Sequence, residues 1–387
     1  MTREDLVARA RSLSAVFRER SAKAESLRRM PDESIEAIVE AGLPRICQPA
    51  RFGGFELGWD TVCEVAMELG RGCASQAWVS NVFTEHTCML GLFPDEAQHE
   101  VWDENPRALV STSYAPVGKV TPVAGGVRLS GHYTFSSGVH HAHWSIVGGM
   151  VPRDEGAPYP GLMLIRAADR RIVDNWHTMG MAGTGSADFV VEDVFVPQHR
   201  ILDDTLVFAG RTPGSQVNAA PVYRMPQKGI AQTALASVPI GTALGAVADF
   251  AEAMRTGRSH GEALSGMQNL QLRLAESSVE AESAQRLVLG TVGDVMRKLE
   301  AGGRIDEADF ATTMRNAAYG VLLARRSVTR LFEAAGGSGA FLSGSLQRSF
   351  RDVHAAGGHI GLAWDRNASL YGRWRAGLGL KGAFPGF

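Results

Sequence analysis

The sequence predicts an α+β protein with a helical N-terminal part, a strand-rich middle and a long helical bundle. Three observations carry this. Apolar residues recur at helical spacing through residues 1–108 and again from Gly229 onward. Between Leu109 and about Asp204 the chain turns rich in Val, Ile, Tyr, Phe and Thr, broken by glycine. Strands do not alternate with helices, and neither a G-x-G-x-x-G after a strand nor a G-x-x-x-x-G-K-S/T occurs. Doubly wound and phosphate-loop folds are therefore excluded.

In the first segment Leu6, Ala10, Leu13 and Phe17 mark one helical stripe, and Asp32 caps a helix that ends at Gly42. Further helices are expected over 61–69, 76–92 and 94–102, the last opened by Pro94. The stretches LVSTSY, GVRLSGHYTFSS, WSIVGGMV, GLMLIR and DFVVEDVFVP read as strands of a sheet or barrel of about six to eight strands. Ala124-Gly125-Gly126 is a hairpin turn between two of them. Residues 205–228 read as a loop, and long helices are expected over 231–255, 267–298 and 307–335. A Gly/Ser-rich loop at 334–345 precedes a last helix starting near Leu346. The domains expected are 1–108, 109–210 and 211–387.

The chain of 387 residues is long enough for two or three packed lobes. Hydrophobic residues make up 45% and charged residues 21%, with a formal net charge of −2, which gives no reason to expect nucleic acid or an anionic membrane as partner. The cysteines Cys47, Cys63, Cys73 and Cys88 form no C-x-x-C pair and no zinc spacing, so free thiols in a reducing cytoplasm are expected. The N-terminus lacks an apolar signal region, and no stretch of about 18 apolar residues is seen, so no membrane span is expected. His141 and His143 would share a strand face, but without a third ligand no metal site is assigned.

Three motifs, in order, resemble the acyl-CoA dehydrogenase superfamily: EAGLPRICQPARFGGFELG (40–58), MGMAGTGSADFVVEDVFVP (179–197) and AAGGSGAFLSGSLQRSFRDVHA (334–355). Within it, SQAWVSNVFTEH (75–86), STSYAPVG (111–118), FSSGVHHAHW (135–144), APVYRMP (220–226) and FRDVHAAGGH (350–359) resemble the flavin-dependent (group D) two-component aromatic monooxygenases. These are oxygenase components of the 4-hydroxyphenylacetate and secosteroid phenol hydroxylase type. The resemblance implies the acyl-CoA dehydrogenase fold, with a central β-barrel-like domain between helical domains. It also implies reduced flavin (FAD or FMN) supplied by a separate NAD(P)H:flavin reductase, and O2 as co-substrate. The reaction implied is hydroxylation of a phenol- or indole-type ring through a C4a-hydroperoxyflavin. A homotetramer, a dimer of dimers, is implied by the likeness of the 334–345 loop to one that reaches a neighbouring subunit's cofactor. The alternatives are an acyl-CoA dehydrogenase or oxidase, and an N- or S-oxygenase on the same scaffold.

The resemblance also assigns residues. His359 stands beside the position eight after Arg351-Asp352, where dehydrogenases often carry a glutamate base, and no acid lies between Asp352 and Asp365. A histidine suits acid/base work on a phenol, and the bland reading is a helix cap. His86 lies in an apolar run, where a core histidine is the usual case; the resemblance turns it toward the substrate. At FSSG, Ser136 is favoured over Ser137 for the flavin N5 contact. Ser111 and Ser113 share a strand face, one of them contacting the substrate hydroxyl and Ser113 also the flavin, with no choice made between them. Trp78 packs near flavin or substrate. Gly183 and Thr184 bring backbone amides to the flavin, although Ala182 stands where many relatives carry arginine. Arg258 meets the flavin phosphate or adenosine.

Overall fold

The structure, a computed structural model, describes residues 1–153, 155–259 and 261–382. The N-terminal helices are α1 (Arg3–Glu19), α2 (Ser21–Leu27), α3 (Asp32–Glu40), α4 (Trp59–Gly70), α5 (Ala74–Leu90) and α6 (Asp95–Trp102). Thr2 caps α1 in a reciprocal box with Asp5. All 17 residues of α5 are buried, because it packs against α4, a C-terminal helix and the sheet at once. A helix apolar and buried on every side is a core element rather than a surface one.

The middle carries β1 (Val110–Val123), β2 (Gly126–Tyr133), β3 (Trp144–Val151), β4 (Tyr159–Arg166), β5 (Arg171–Val173), β6 (Asp188–Pro197) and β7 (Ile201–Asp203). They form one seven-stranded mixed sheet in the order β5-β6-β2-β1-β3-β4-β7. Only β1 and β3 run parallel among its pairs. The hairpin falls at Ala124-Gly125, where Val123 pairs with Gly126 and Gly125 takes φ +81°. Tyr133 and Phe189 stack at 5.3 Å in a second, smaller core inside the bend of the sheet.

The C-terminal part adds α7 (Asp204–Ala209), α8 (Gly214–Val217), α9 (Gln227–Ile230), α10 (Gln232–Thr256), α11 (Gln268–Glu300), α12 (Glu307–Ala334), α13 (Ser345–Ala356) and α14 (Trp364–Arg375). Two expectations need correction. The segment 205–228 is not all loop, since α7 and α8 lie in it. Helix α13 is not the last, because the chain turns at Gly357-Gly358 and continues into α14. By length and composition alone the run Gln227–Thr256 could cross a membrane. Its apolar window is 78% buried inside the protein, against α4, α5 and α12, which makes it the central helix of the bundle.

Candidate active site

One cavity of about 790 Å³ opens where the three segments meet. Its first wall is α5, which contributes Trp78, Val82, Glu85, His86 and Met89. These stand at i, i+4, i+7, i+8 and i+11, a single helical stripe. At 1.5 Å per residue the stripe runs about 16 Å from Trp78 to Met89.

His86 is fixed by β1. Its Nδ1 is 2.9 Å from the Val110 carbonyl and its Nε2 is 2.8 Å from Thr112 Oγ1. A carbonyl only accepts, so Nδ1 carries the proton and Nε2 accepts the Thr112 hydroxyl. Burial holds the imidazole neutral, pushing its pKa down to about 3. Both nitrogens are thus occupied, and the expected direct bond from His86 to a substrate has no free atom to make it. What lines the cavity instead is Thr112, whose hydroxyl hydrogen is committed to His86.

The serines divide in a way that alternation along a strand does not foretell. Ser137 lines the cavity, accepts from Trp78 Nε1 at 3.2 Å and pairs with Ser186 Oγ at 2.7 Å. Ser136, favoured from the sequence, is fully buried outside the cavity, with its hydroxyl unpartnered among the described residues. The reason is local: β2 ends at Tyr133, and Phe135 takes φ +59°, a left-handed conformation that costs of order 1 kcal/mol in a non-glycine residue and breaks the strand's parity. Similarly, Ser113 lines the cavity and donates to the Thr134 carbonyl at 3.0 Å, whereas Ser111 is tied to Ser145 at 2.7 Å away from it. Thr184 lines the cavity, bonded to the Met181 carbonyl and Ser186. Gly183 does not line it; a side chain there would meet Ala24 and Ser75 at 3.0 Å. Arg258 is exposed in a two-residue strand, bonds the Gly261 carbonyl and does not line the cavity.

The opposite wall comes from residues 355–361 and Arg366. His359 sits on it, 5.7 Å from Trp78 in an edge-on contact. Its Nδ1 accepts the Gly361 N–H at 3.1 Å, so it does cap a short 3-10 turn. Burial, then the charge of Arg366, lowers its pKa to about 4. The neutral ring therefore carries its proton on Nε2, which has no partner among the described residues. Held in this way, the neutral His359 ring presents an N–H to the cavity. The Arg351-Asp352 pair supports this wall: Asp352 accepts the Met181 N–H at 2.6 Å, and Arg351 donates to the Met179 carbonyl at 2.6 Å. Met181, at φ +55°, is pinned by that bond.

Among the cavity residues that sequence reasoning did not single out are, besides Thr112, Glu85, Tyr114, Gln227, Lys228 and Gln232. The one available signal was spacing, since Glu85 lies seven residues from Trp78 on the stripe. His141 bonds the Met30 carbonyl and His143 accepts from Leu109, so each has an ordinary structural partner.

The donor set fits a flavin. Aromatic rings at Trp78, Trp176 and Phe135 flank the cavity, and hydroxyls of Ser137, Thr184 and Ser186 line one edge. Gln232 Oε1 lies at the wall, buried and without a partner among the described residues. Such a set suits a planar ring with polar edges.

Residues 3–104 match the family model of the acyl-CoA dehydrogenase N-terminal domain, and residues 233–364 that of its C-terminal domain. The chain is 35% identical over 392 aligned positions to the FADH2-dependent resorcinol hydroxylase, oxygenase component, of Rhizobium sp., covering 98% of this chain and 96% of that protein. It is 34% identical to the flavin-dependent monooxygenase oxygenase subunit HsaA of Mycobacterium tuberculosis, over 94% of this chain and 93% of that one. Among solved structures, 3-HSA hydroxylase from Rhodococcus sp. RHA1 superposes with a TM-score of 0.93 at 33% identity, over 98% of both chains. XiaF from Streptomyces sp., in complex with FADH2 and glycerol, superposes at 0.90 and 27% identity, over 97% of this chain and 96% of that one.

Proposed function

We propose, on the premise that this chain belongs to the acyl-CoA dehydrogenase family, that its cavity holds an aromatic ring between Thr112 on one wall and His359 on the other. The chain is the oxygenase component of a two-component flavin-dependent monooxygenase and hydroxylates aromatic compounds with reduced flavin and O2. The balance is ring C–H plus O2 plus reduced flavin giving ring C–OH, oxidised flavin and water. Reduced flavin, FAD or FMN, supplies the two electrons and activates the oxygen.

The observation that carries the residue assignment is the opposite polarity of the two walls. Thr112 Oγ1, its hydrogen given to His86, accepts a phenolic O–H and so raises electron density on the ring. His359, its Nδ1 held by Gly361, would offer an Nε2–H to an oxygen that gains negative charge in the reaction. Ser137 and Trp78, joined by a hydrogen bond, form the edge against the cofactor. Burial keeps both histidines neutral.

The same proposal includes a separate NAD(P)H:flavin reductase, a cytoplasmic location and a homotetramer. Four free, buried cysteines support the location. Phe341 and Leu342, exposed at 69% and 75% in the 334–345 loop, support burial of that loop by another subunit. It also takes 1–108, 109–210 and 211–387 as domains.

The test is to supply reduced FMN or FAD under oxygen with a panel of phenols and indole, and to measure hydroxylated product against hydrogen peroxide. Product from at least one ring is expected. Peroxide alone from every ring, together with bleaching of bound FAD by an acyl-CoA, would overturn the reading in favour of a dehydrogenase.

A further inference from the structure

Glu85 is a charged residue type where the fold gives it no countercharge. It is 7% exposed, lines the cavity, and its carboxyl has no partner among the described residues. Burial alone drives its pKa up to about 8, so at neutral pH it is a protonated acid. Around it lie two further unused polar atoms. The Tyr114 hydroxyl is buried and unbonded, close to Thr112 and near enough to Glu85 for the carboxyl to perturb it. Gln227 donates to the Glu85 backbone carbonyl at 2.9 Å, which leaves its own Oε1 buried and unpartnered. Lys228, also on the wall, is already paired with Asp204.

An unmet buried polar atom costs free energy of the order of a lost hydrogen bond. Three at one end of a cavity, all able to accept, mark a place that a ligand completes. Tyr114 lies within reach of Thr112 and edge-on to His86 at 5.9 Å, and Glu85 and Gln227 extend the polar end beyond that pair. Residue 85 lies seven positions along α5 from Trp78, about 10 Å from the His359 end at 1.5 Å per residue.

We infer that Glu85, with Tyr114 and Gln227, is a recognition site for a second hydrogen-bond donor on the substrate ring. The substrate class is a ring carrying two donors, a diphenol or aminophenol. This inference rests on the monooxygenase reading above. It goes further by saying what sets the choice of ring.

The experiment compares each diphenol with the cresol in which a methyl replaces one hydroxyl. The full-length protein, reduced flavin and O2 are used, and kcat/KM for hydroxylated product is read. A site built to bond a hydroxyl rejects the analogue lacking it strongly. The wild type should therefore prefer at least one diphenol over its cresol by ~100-fold or more. Glu85→Leu should bring diphenol and cresol within about threefold while cresol turnover persists. Tyr114→Phe, which removes one oxygen and keeps the packing, should cut the preference roughly tenfold, and it decides the matter if Glu85→Leu does not fold. Equal use of diphenol and cresol by the wild type overturns the inference and leaves the monooxygenase reading standing, as does an undiminished preference in both variants. No product from any ring overturns both.

Discussion

The two walls of the cavity use the same residue type to opposite ends. On α5, His86 spends both ring nitrogens inside the protein, on Val110 and Thr112. On the C-terminal turn, His359 spends only Nδ1 and keeps an N–H for the cavity. The first wall is a helix buried on every side; the second is a short turn whose neighbour Ile360 is 67% exposed. The difference teaches that burial alone does not mark a working histidine. Both are pushed to low pKa, yet only the one with an unspent atom can act directly, and the other acts through the hydroxyl it orients.

His359→Ala removes the free donor and tests this contrast most severely. Product formation should fall by ~100-fold or more, the usual loss for one donor to developing charge, while bound reduced flavin is still consumed to peroxide. Unchanged product yield would erase the distinction between the walls. Thr112→Val should cost roughly 10–100-fold in kcat/KM for phenols, with Thr112→Ser restoring most of it. If His86→Asn leaves activity intact while Thr112→Val abolishes it, Thr112 acts without orientation and the His86 half of the comparison fails. The two adjacent serines sharpen the picture at smaller scale. Ser137→Ala strips the acceptor from Trp78 Nε1 and should lower the ratio of product to peroxide several-fold. Ser136→Ala should change that ratio less than about twofold, and should raise stability by up to ~1 kcal/mol by removing an unpaired buried hydroxyl.

The smallest effect is on stability. Folded Glu85 holds its proton up to about pH 8, whereas the unfolded chain releases it near pH ~4. Between those values the folded state binds the extra proton, so stability falls as pH rises across the window. Glu85→Gln lacks this dependence. Its Tm should exceed that of the wild type by roughly 5 °C at pH 8 and by almost nothing at pH 4.5, measured by calorimetry. A constant difference at both pH values would mean that Glu85 is ionised in the folded protein.

Much of the fold was legible because periodicity reports burial on one side. Strands β1 to β4 and β6 and the three long bundle helices read directly from it. The site was legible only in part. His359 stood out because an acid was missing where one is usual, and Trp78 and His86 because their segment matched a motif. Glu85 gave no such mark: α5 has no solvent face, so an acidic residue in it cannot be placed by contrast with apolar neighbours. Thr112 was hidden by parity, since Ser111 and Ser113 seemed to claim the strand. That Ser137 rather than Ser136 lines the cavity follows from a positive φ at Phe135, which resets which way the next side chains point, and nothing in the local residue types announces that.

The bond between Asp352 and the Met181 N–H joins positions 171 residues apart, and the cavity draws walls from α5, β1, α9 and the turn after α13 alike. A pocket assembled from such distant pieces comes late in folding, since long loops must close before any of these contacts forms. During synthesis the helices and the sheet can form in order as they emerge, but no binding site exists until α13 and the residues after it have docked. The protein therefore cannot capture its reduced cofactor on a half-made chain, and cofactor binding becomes a check on completed folding.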